Sequence, residues 1–387
     1  MTNDVASHRR SGLPAIAGVS FAVLFAFQPS IAFAFETTAP TALLLDFETG
    51  TVLFEKEADR EVPPASLAKL MTVTVLFDEL KEGRLSLQDT FSVSERAWRE
   101  GGASSGGSTM FLPLNSEVSV DDLLKGIIIQ SGNDATIVAA EGVAGSVEAF
   151  ADRMNREAQD LGLTGSNFAN PHGLPDPEQH VTMRDLSKIA MTIIRDHSEF
   201  YDLFSQTEYT FNGITQQSRN PLLSAGADGL KTGHTAEAGY GLVASMERDG
   251  RRVILAMSGL QSARERAEES RKLMDYGFRG FERMVLLPAN QATGEVSVLG
   301  GVAPSVQLVS SQEIAVLGPR GGQGEYETRV ASADPLTAPV TAGQEAGRLE
   351  VVRGGEVVEE HPLVTNAAVE QASLVKRLWD QVLAAVW

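Results

Sequence analysis

Pro63 and Pro64 close off whatever precedes them, because proline fixes φ and carries no N–H. A helical pattern starts at once: Leu67, Leu70, Met71, Val75 and Leu80 recur at roughly helical spacing. This places Ser66 at the helix N-terminus and Lys69 one turn later on the same face. The amine is then within reach of the hydroxyl, where the partial positive charge of a helix start favours an anion. A free hydroxyl is a poor nucleophile until a base takes its proton, and a serine beside a lysine base meets that need. Alone, S-x-x-K is a weak pattern. A serine at a helix start commonly serves as a cap, and a lysine three residues on commonly sits in solvent.

The chain has 387 residues, enough for two or three domains, and its 43% hydrophobic content is that of a globular protein. A formal net charge of −19 speaks against a nucleic-acid partner. There is no cysteine, so neither a disulfide framework nor thiolate chemistry is available. Residues 1–34 read as an export signal: a basic start at His8, Arg9 and Arg10, an apolar run from Leu13 to Phe27, and a small-x-small site at Ala32-Phe33-Ala34. Ser11 and Gly12 stand where twin-arginine export needs hydrophobic residues, which favours the general route. An uncleaved anchor is the alternative, and the short apolar run argues against it.

In the mature chain, strand patterns at Ala42–Asp46 and Thr51–Glu55 flank a glycine turn. The Ser66 helix runs to about Lys81. Helices follow from the capping box at Ser119-Val120-Asp121-Asp122, from Asp134, over Ser146–Leu161 and over Met183–Arg195. Strands return from Ala227, with a hairpin turn at Asp249-Gly250, and a charged helix is expected over Ala263–Arg283. Strands at both ends of a domain and helices between them predict an α+β fold, an antiparallel sheet flanked by helices with a helical subdomain on one side. From about Leu286 helical periodicity stops. Strands such as Val296–Leu299 and Leu349–Val352 predict a small all-β domain. From Val364 to Trp387 an apolar face (Ala368, Val375, Leu378, Trp379, Val382, Leu383, Val386) predicts an amphipathic helix, fit for a membrane interface or for docking on protein. The division is therefore 1–34 signal, 35–285 catalytic domain, 286–363 β-rich domain and 364–387 amphipathic helix.

Two further motifs follow Ser66-x-x-Lys69 in order: Ser131-Gly132-Asn133 in a turn between helices, and Lys231-Thr232-Gly233 on a strand. This set belongs to the serine penicillin-recognising enzymes. The chain resembles the D-alanyl-D-alanine carboxypeptidases, the low-molecular-mass penicillin-binding proteins. Ser108–Leu112, Asn170–Leu174, Arg219–Leu223 and the stretch Arg266 to Phe278 resemble family segments as well. The resemblance implies the β-lactamase/transpeptidase-like fold and a serine carboxypeptidase needing no cofactor or metal. Its substrates would be peptidoglycan stem peptides and its inhibitors β-lactams. It implies a periplasmic place, on the outer face of the inner membrane through the C-terminal helix.

Carried over residue by residue, Ser66 is the nucleophile, Lys69 its base, and Ser131 a proton shuttle to the departing D-alanine. The residues allow Lys69 to act directly or through Ser131. Asn133 holds the acyl part of the peptide. Lys231, Thr232, Gly233 and Arg219 form the pocket for the terminal carboxylate, and the backbone N–H groups of Ser66 and His234 form the oxyanion hole.

A class A β-lactamase needs a deacylating glutamate in an E-x-x-L-N type setting, and Glu178-Gln179-His180-Val181-Thr182 lacks it. A non-catalytic wall-binding scaffold has no need of the intact motif residues. An endopeptidase activity on cross-links stays open. His172 and His180 are read as loop structure rather than metal ligands. Arg266 fits a surface ion pair as well as a site residue. Gly101–Gly107 lacks a phosphate-loop pattern.

Overall fold

The computed structural model describes residues 35–321, 326–332 and 335–374. The proposed export signal and residues 375–387 of the expected amphipathic helix lie outside these ranges.

Strands β1 (Thr41–Asp46) and β2 (Val52–Lys56) form the first hairpin. A 3-10 turn, Ala65–Ala68, leads directly into α1 (Lys69–Lys81). A short ribbon of β3 (Thr90–Ser92) and β4 (Glu117–Ser119) brackets a long loop. Then come α2 (Val120–Lys125), extended by a wider turn over Gly126–Gln130, α3 (Asn133–Ala144), α4 (Val147–Asp160) and α5 (Met183–Asp196). A hairpin, β5 (Glu208–Phe211) with β6 (Ile214–Gln217), precedes β7 (Ala227–Thr235), β8 (Gly239–Arg248), β9 (Arg251–Leu260) and α6 (Ala263–Arg279). The helix starts follow the expected chemistry. Ser119, Ser146, Thr182 and Ser262 each accept a backbone N–H three residues on.

The five-stranded sheet has the order β2-β1-β9-β8-β7, with every pair antiparallel. Strand β1 therefore joins strands that follow it by some 200 residues in sequence (Thr41 pairs with Ser258). Its side chains alternate between two layers. Leu43 and Leu45 enter the core shared with α1 and α5, whereas Leu44 lies under α6. There Gly277 brings the helix so close that a Cβ would stand 3.0 Å from Leu44. In the helical subdomain, Phe77 of α1 is fully buried, stacked on Phe200 at 4.9 Å and met edge-on by Phe204.

The β-rich region has its own core around Leu308, Leu349, Val351 and Leu363. Strand β10 (Phe281–Leu287) pairs with β13 (Ile314–Pro319). The larger sheet runs β14 (Tyr326–Ser332), β16 (Glu345–Arg353), β17 (Glu356–Thr365), β12 (Ser305–Val309), β11 (Ala292–Leu299), β15 (Leu336–Thr337).

Two local expectations change, and two short ribbons are new. The charged helix ends at Arg279 rather than Arg283, because Gly280 follows and Phe281–Leu287 finds a strand partner. The amphipathic helix does not begin at Val364: that residue pairs with Glu345, and Val369 and Gln371 bridge to Val340 and Gly301. Cross-strand partners outcompete the local helical pattern there. The ribbons β3–β4 and β5–β6 were not legible, since strands of three or four residues carry too little periodicity.

Phe77→Ala is expected to lower stability by about 3–5 kcal/mol, the usual result of emptying a large buried aromatic site. Denaturant unfolding of the pure protein measures it.

Candidate active site

The tight turn before α1 matters for the first pair of residues. A 3-10 turn has three residues per turn, so side chains three apart eclipse. Ser66 lies in that turn and Lys69 opens α1, and Lys69 Nζ donates to Ser66 Oγ at 3.0 Å. Ala65, just before the serine, sits at φ 47, a strained value for a residue with a side chain. The turn docks on the sheet through glycines. A Cβ on Gly233 would meet Leu67 at 3.0 Å and the Pro64 carbonyl at 3.1 Å, and one on Gly241 would meet Leu67 at 3.1 Å. Gly173, at φ +85, crosses over the same turn so closely that a Cβ would collide with the Ala65 carbonyl.

Lys69 has no solvent exposure. Besides Ser66 it donates to Asn133 Oδ1 and to the His172 carbonyl, both at 2.7 Å. All three partners accept hydrogen bonds and none is an anion. Burial, and then the Arg219 guanidinium, bring its pKa down to about 7, against a smaller upward pull from Asp134. A substantial fraction of Lys69 is therefore a neutral amine near neutral pH.

The second motif sits where the wide turn after α2 ends. Ser131 adopts φ 61, the left-handed conformation, and Asn133 begins α3. Lys231, on β7, donates to Ser131 Oγ and to the Thr232 carbonyl, each at 3.0 Å. It is buried too, and burial first, then Lys69, Arg219 and Arg266, hold its pKa well below the ordinary lysine value. Asn133 turns its Oδ1 to Lys69 and its Nδ2 towards Gly107. The three motifs thus form two hydrogen-bonded groups, Lys69 with Ser66 and Asn133 and Lys231 with Ser131 and Thr232, joined through the backbone of Ser131-Gly132-Asn133.

They line a cleft of about 610 Å³ whose wall includes Ser66, Asn133, Arg219, Thr232, His234 and Arg266. Arg219 donates to Ser108 Oγ at 2.8 Å and to the Gln130 carbonyl. The His234 imidazole is exposed and stacks on Tyr240 with ring centres 3.9 Å apart. The motif residues Ser66, Asn133, Thr232 and Gly233, with His234 and Arg219, line this cleft, and Lys69, Ser131 and Lys231 lie behind it, hydrogen-bonded to them or to one another.

The structure adds residues that sequence reasoning treated as bland or missed. Arg266 is 7% exposed and is not in a surface ion pair. It donates to the Arg219 carbonyl at 3.2 Å, with its charge 5.7 Å from the centre of the Tyr240 ring and its Nε buried without an acceptor. His172 supplies its carbonyl to Lys69, and burial draws its imidazole down to about 3, so the ring is neutral. Asp134 is fully buried and ties down the strap above it. It accepts from Thr109 Oγ1 at 2.6 Å and from the N–H groups of Met110 and Leu112. The glycines at 101 and 102 serve close packing. A Cβ on Gly101 would strike the α3 backbone at Asp134, and one on Gly102 the Trp98 carbonyl. The adjacency of Asp134 to the Ser131 motif was the only available signal for its role.

Comparison with known proteins places these features in a family context. Residues 27–261 match the family described as D-alanyl-D-alanine carboxypeptidase, and residues 281–371 match the one described as penicillin-binding protein 5, C-terminal domain. A D-alanyl-D-alanine carboxypeptidase of Escherichia coli K12, DacC, is 40% identical over 374 residues, covering 94% of this chain and 93% of its own. One from Haemophilus influenzae, DacA, is 38% identical over 356 residues, covering 91% and 90%. The solved structure of penicillin binding protein 5 from Haemophilus influenzae superposes with a TM-score of 0.73 at 38% identity, over 87% of this chain and 99% of that one.

With Lys69 titrating at about 7, the reaction of Ser66 with a serine-directed fluorophosphonate is expected to quicken as pH rises through that value, because only the neutral amine can take the proton. A rate independent of pH between 5 and 9 would exclude Lys69 as the base. The structure also makes Gly173→Ala a severe change: loss of about 10²-fold or more in that rate, measured alongside circular dichroism, is expected from the displaced turn.

Proposed function

The chain belongs to the D-alanyl-D-alanine carboxypeptidase family, and on that premise we propose that it is a serine carboxypeptidase that removes the terminal D-alanine from peptidoglycan pentapeptide stems. The observation that carries this reading is the buried Lys69 amine held 3.0 Å from Ser66 Oγ with no anion among its hydrogen-bond partners.

In the proposed reaction, the neutral Lys69 takes the Ser66 proton as Oγ attacks the carbonyl of the D-Ala-D-Ala bond. The direct contact supports this route over relay through Ser131, whose hydroxyl bonds to Lys231 instead. Backbone N–H groups of Ser66 and His234, both on the cleft wall, stabilise the developing oxyanion. Asn133 Nδ2 orients the acyl peptide. Thr232, Lys231 and Arg219, with Arg266 behind, receive the terminal carboxylate. As the C–N bond breaks, the departing amine receives, by way of Ser131, the proton that Lys69 took from Ser66, which returns Lys69 to the neutral amine. Water then attacks the Ser66 ester, releasing the shortened stem and restoring the hydroxyl. A β-lactam enters the same steps as a cyclic amide and acylates Ser66. Glu178 supports no β-lactamase reading: it lies in an exposed loop away from the residues that line the cleft.

We place this activity outside the inner membrane, with residues 1–34 as the export signal and the C-terminal segment as a contact with the membrane surface. Among the described residues no helix is long and apolar enough to cross a membrane.

The decisive measurement is D-alanine release from a peptide ending in Lys-D-Ala-D-Ala. Ser66→Ala is expected to reduce it by roughly 10⁴-fold or more, and Ser131→Ala by about 10²–10⁴-fold, the range for losing a proton-transfer group. No release by the folded wild type would refute the proposal. For the membrane contact, the chain truncated after Leu374 is expected to leave the membrane fraction while still binding penicillin. Retention on membranes would remove the C-terminal segment from that role.

A further inference from the structure

The carboxylate pocket is assembled from two segments that share no helix or sheet contact of their own. Arg219 lies in the connection after β6, and Lys231 lies in the middle of β7. Between them the chain turns through Pro221 and a short 3-10 segment at Leu223–Ala225. A loop of this kind does not by itself fix the separation of its ends. The backbone closes the second half of the loop, where Ala227 N donates to the Leu222 carbonyl at 3.0 Å, and one side chain ties the first half to the strand.

Asn220 is 8% exposed. Its Nδ2 donates to the Gly229 carbonyl at 2.7 Å, and its Oδ1 accepts from Leu222 N at 3.0 Å. The orientation of the amide is set by its partners, since a carbonyl only accepts and an N–H only donates. The Oδ1 contact is a local turn of the kind asparagine commonly stabilises. The Nδ2 contact is not local: it reaches across the loop to a carbonyl two residues before Lys231. On its other side, Asn220 is bonded to Arg219, whose own carbonyl accepts from Arg266 Nη2 at 3.2 Å. A single amide thus connects the backbone that carries Arg219, the hydrogen bond that holds Arg266, and the strand that carries Lys231 and Thr232.

We propose that Asn220 is a positioning residue for carboxylate capture: its bridge to Gly229 holds Arg219 and Arg266 in register with Lys231 and Thr232. It touches no substrate in this scheme. The inference rests on the carboxypeptidase reading given above, and it concerns the carboxylate end of the substrate alone. Guanidinium–carboxylate contacts are charge-assisted and directional, so a displacement of the loop weakens them more than it weakens the packing around them. Without the bridge, Ser66, Lys69 and Asn133 keep their partners, none of which lies in this loop.

The test compares two substrates on two proteins. One peptide ends in Lys-D-Ala-D-Ala with a free carboxylate, and the other carries a terminal carboxamide. Wild type is set against Asn220→Ser, in which the hydroxyl can still serve the Leu222 turn but falls short of Gly229. The wild type is expected to favour the free acid strongly. Assayed at pH 9, where Lys69 is neutral with or without Arg219 beside it, Asn220→Ser should shrink that preference by about ten-fold, through a raised KM for the acid with kcat and the amide reaction little changed. The expected size is that of one misplaced charge-assisted hydrogen bond. An equal loss on both peptides would overturn the proposal, because it would mark Asn220 as merely structural. So would an unchanged preference. If Asn220→Ser does not fold, Asn220→Thr carries the same comparison, and failure of both to fold would assign the residue to stability and overturn the proposal. Wild type that cleaves neither peptide would instead refute the carboxypeptidase reading, and this role with it.

Discussion

The rest of the site depends on the burial of one amine. Lys69 is enclosed by a hydroxyl, an amide oxygen and a backbone carbonyl, drawn from the turn before α1, from α3 and from the loop at His172. Desolvating an ammonium without a carboxylate partner is unfavourable, and the group responds by losing its proton more easily. That cost is borne by the folded state, and the same environment leaves a base beside the serine. A carboxylate among the three acceptors would satisfy the charge and remove the reactivity. Asp134 lies near enough to raise the Lys69 pKa, yet both of its oxygens are occupied by Thr109, Met110, Leu112 and Ala135. The carboxylate is thus used to order the strap on the cleft wall and does not pair with the lysine.

The geometry around that amine is maintained by the absence of side chains. Gly233 and Gly241 let the Ser66 turn rest on β7 and β8, and Gly173 lets the loop that presents the His172 carbonyl cross the same turn. The left-handed Ala65 and Ser131 add backbone strain on either side of the cleft. Strain of this kind persists only where the surroundings over-determine it. Here they do so, since the turn, the sheet and the helical subdomain each press on it from a different direction.

The cation pocket repeats the pattern at a larger scale. Burial first, and then neighbouring cations, lower the pKa of Lys69, Lys231 and Arg266, and Arg266 keeps a buried Nε without an acceptor. A buried donor left unpaired costs roughly 1–3 kcal/mol. A region so arranged is poorly satisfied when empty and well matched to an incoming carboxylate. Stability has been given up locally for recognition, as is common at functional sites.

The sequence by itself determined the parts of this protein that local chemistry dictates. The proline pair, the three-residue spacing of Ser66 and Lys69, the capping box opened by Ser119, and the turn at Asp249-Gly250 are short-range signals, and the elements formed where they indicated. Strands at both ends and helices in the middle were enough to anticipate the antiparallel sheet. The three motifs were enough to anticipate the cleft. What only the tertiary structure decided are contacts between distant segments: the His172 carbonyl on Lys69, the Arg266 donor on Arg219, the Asn220 bridge to Gly229, and the bridges that hold Val369 and Gln371 to Val340 and Gly301. A backbone carbonyl has no residue type, and a loop asparagine has no period. Neither leaves a trace in sequence until folding brings its partner to it.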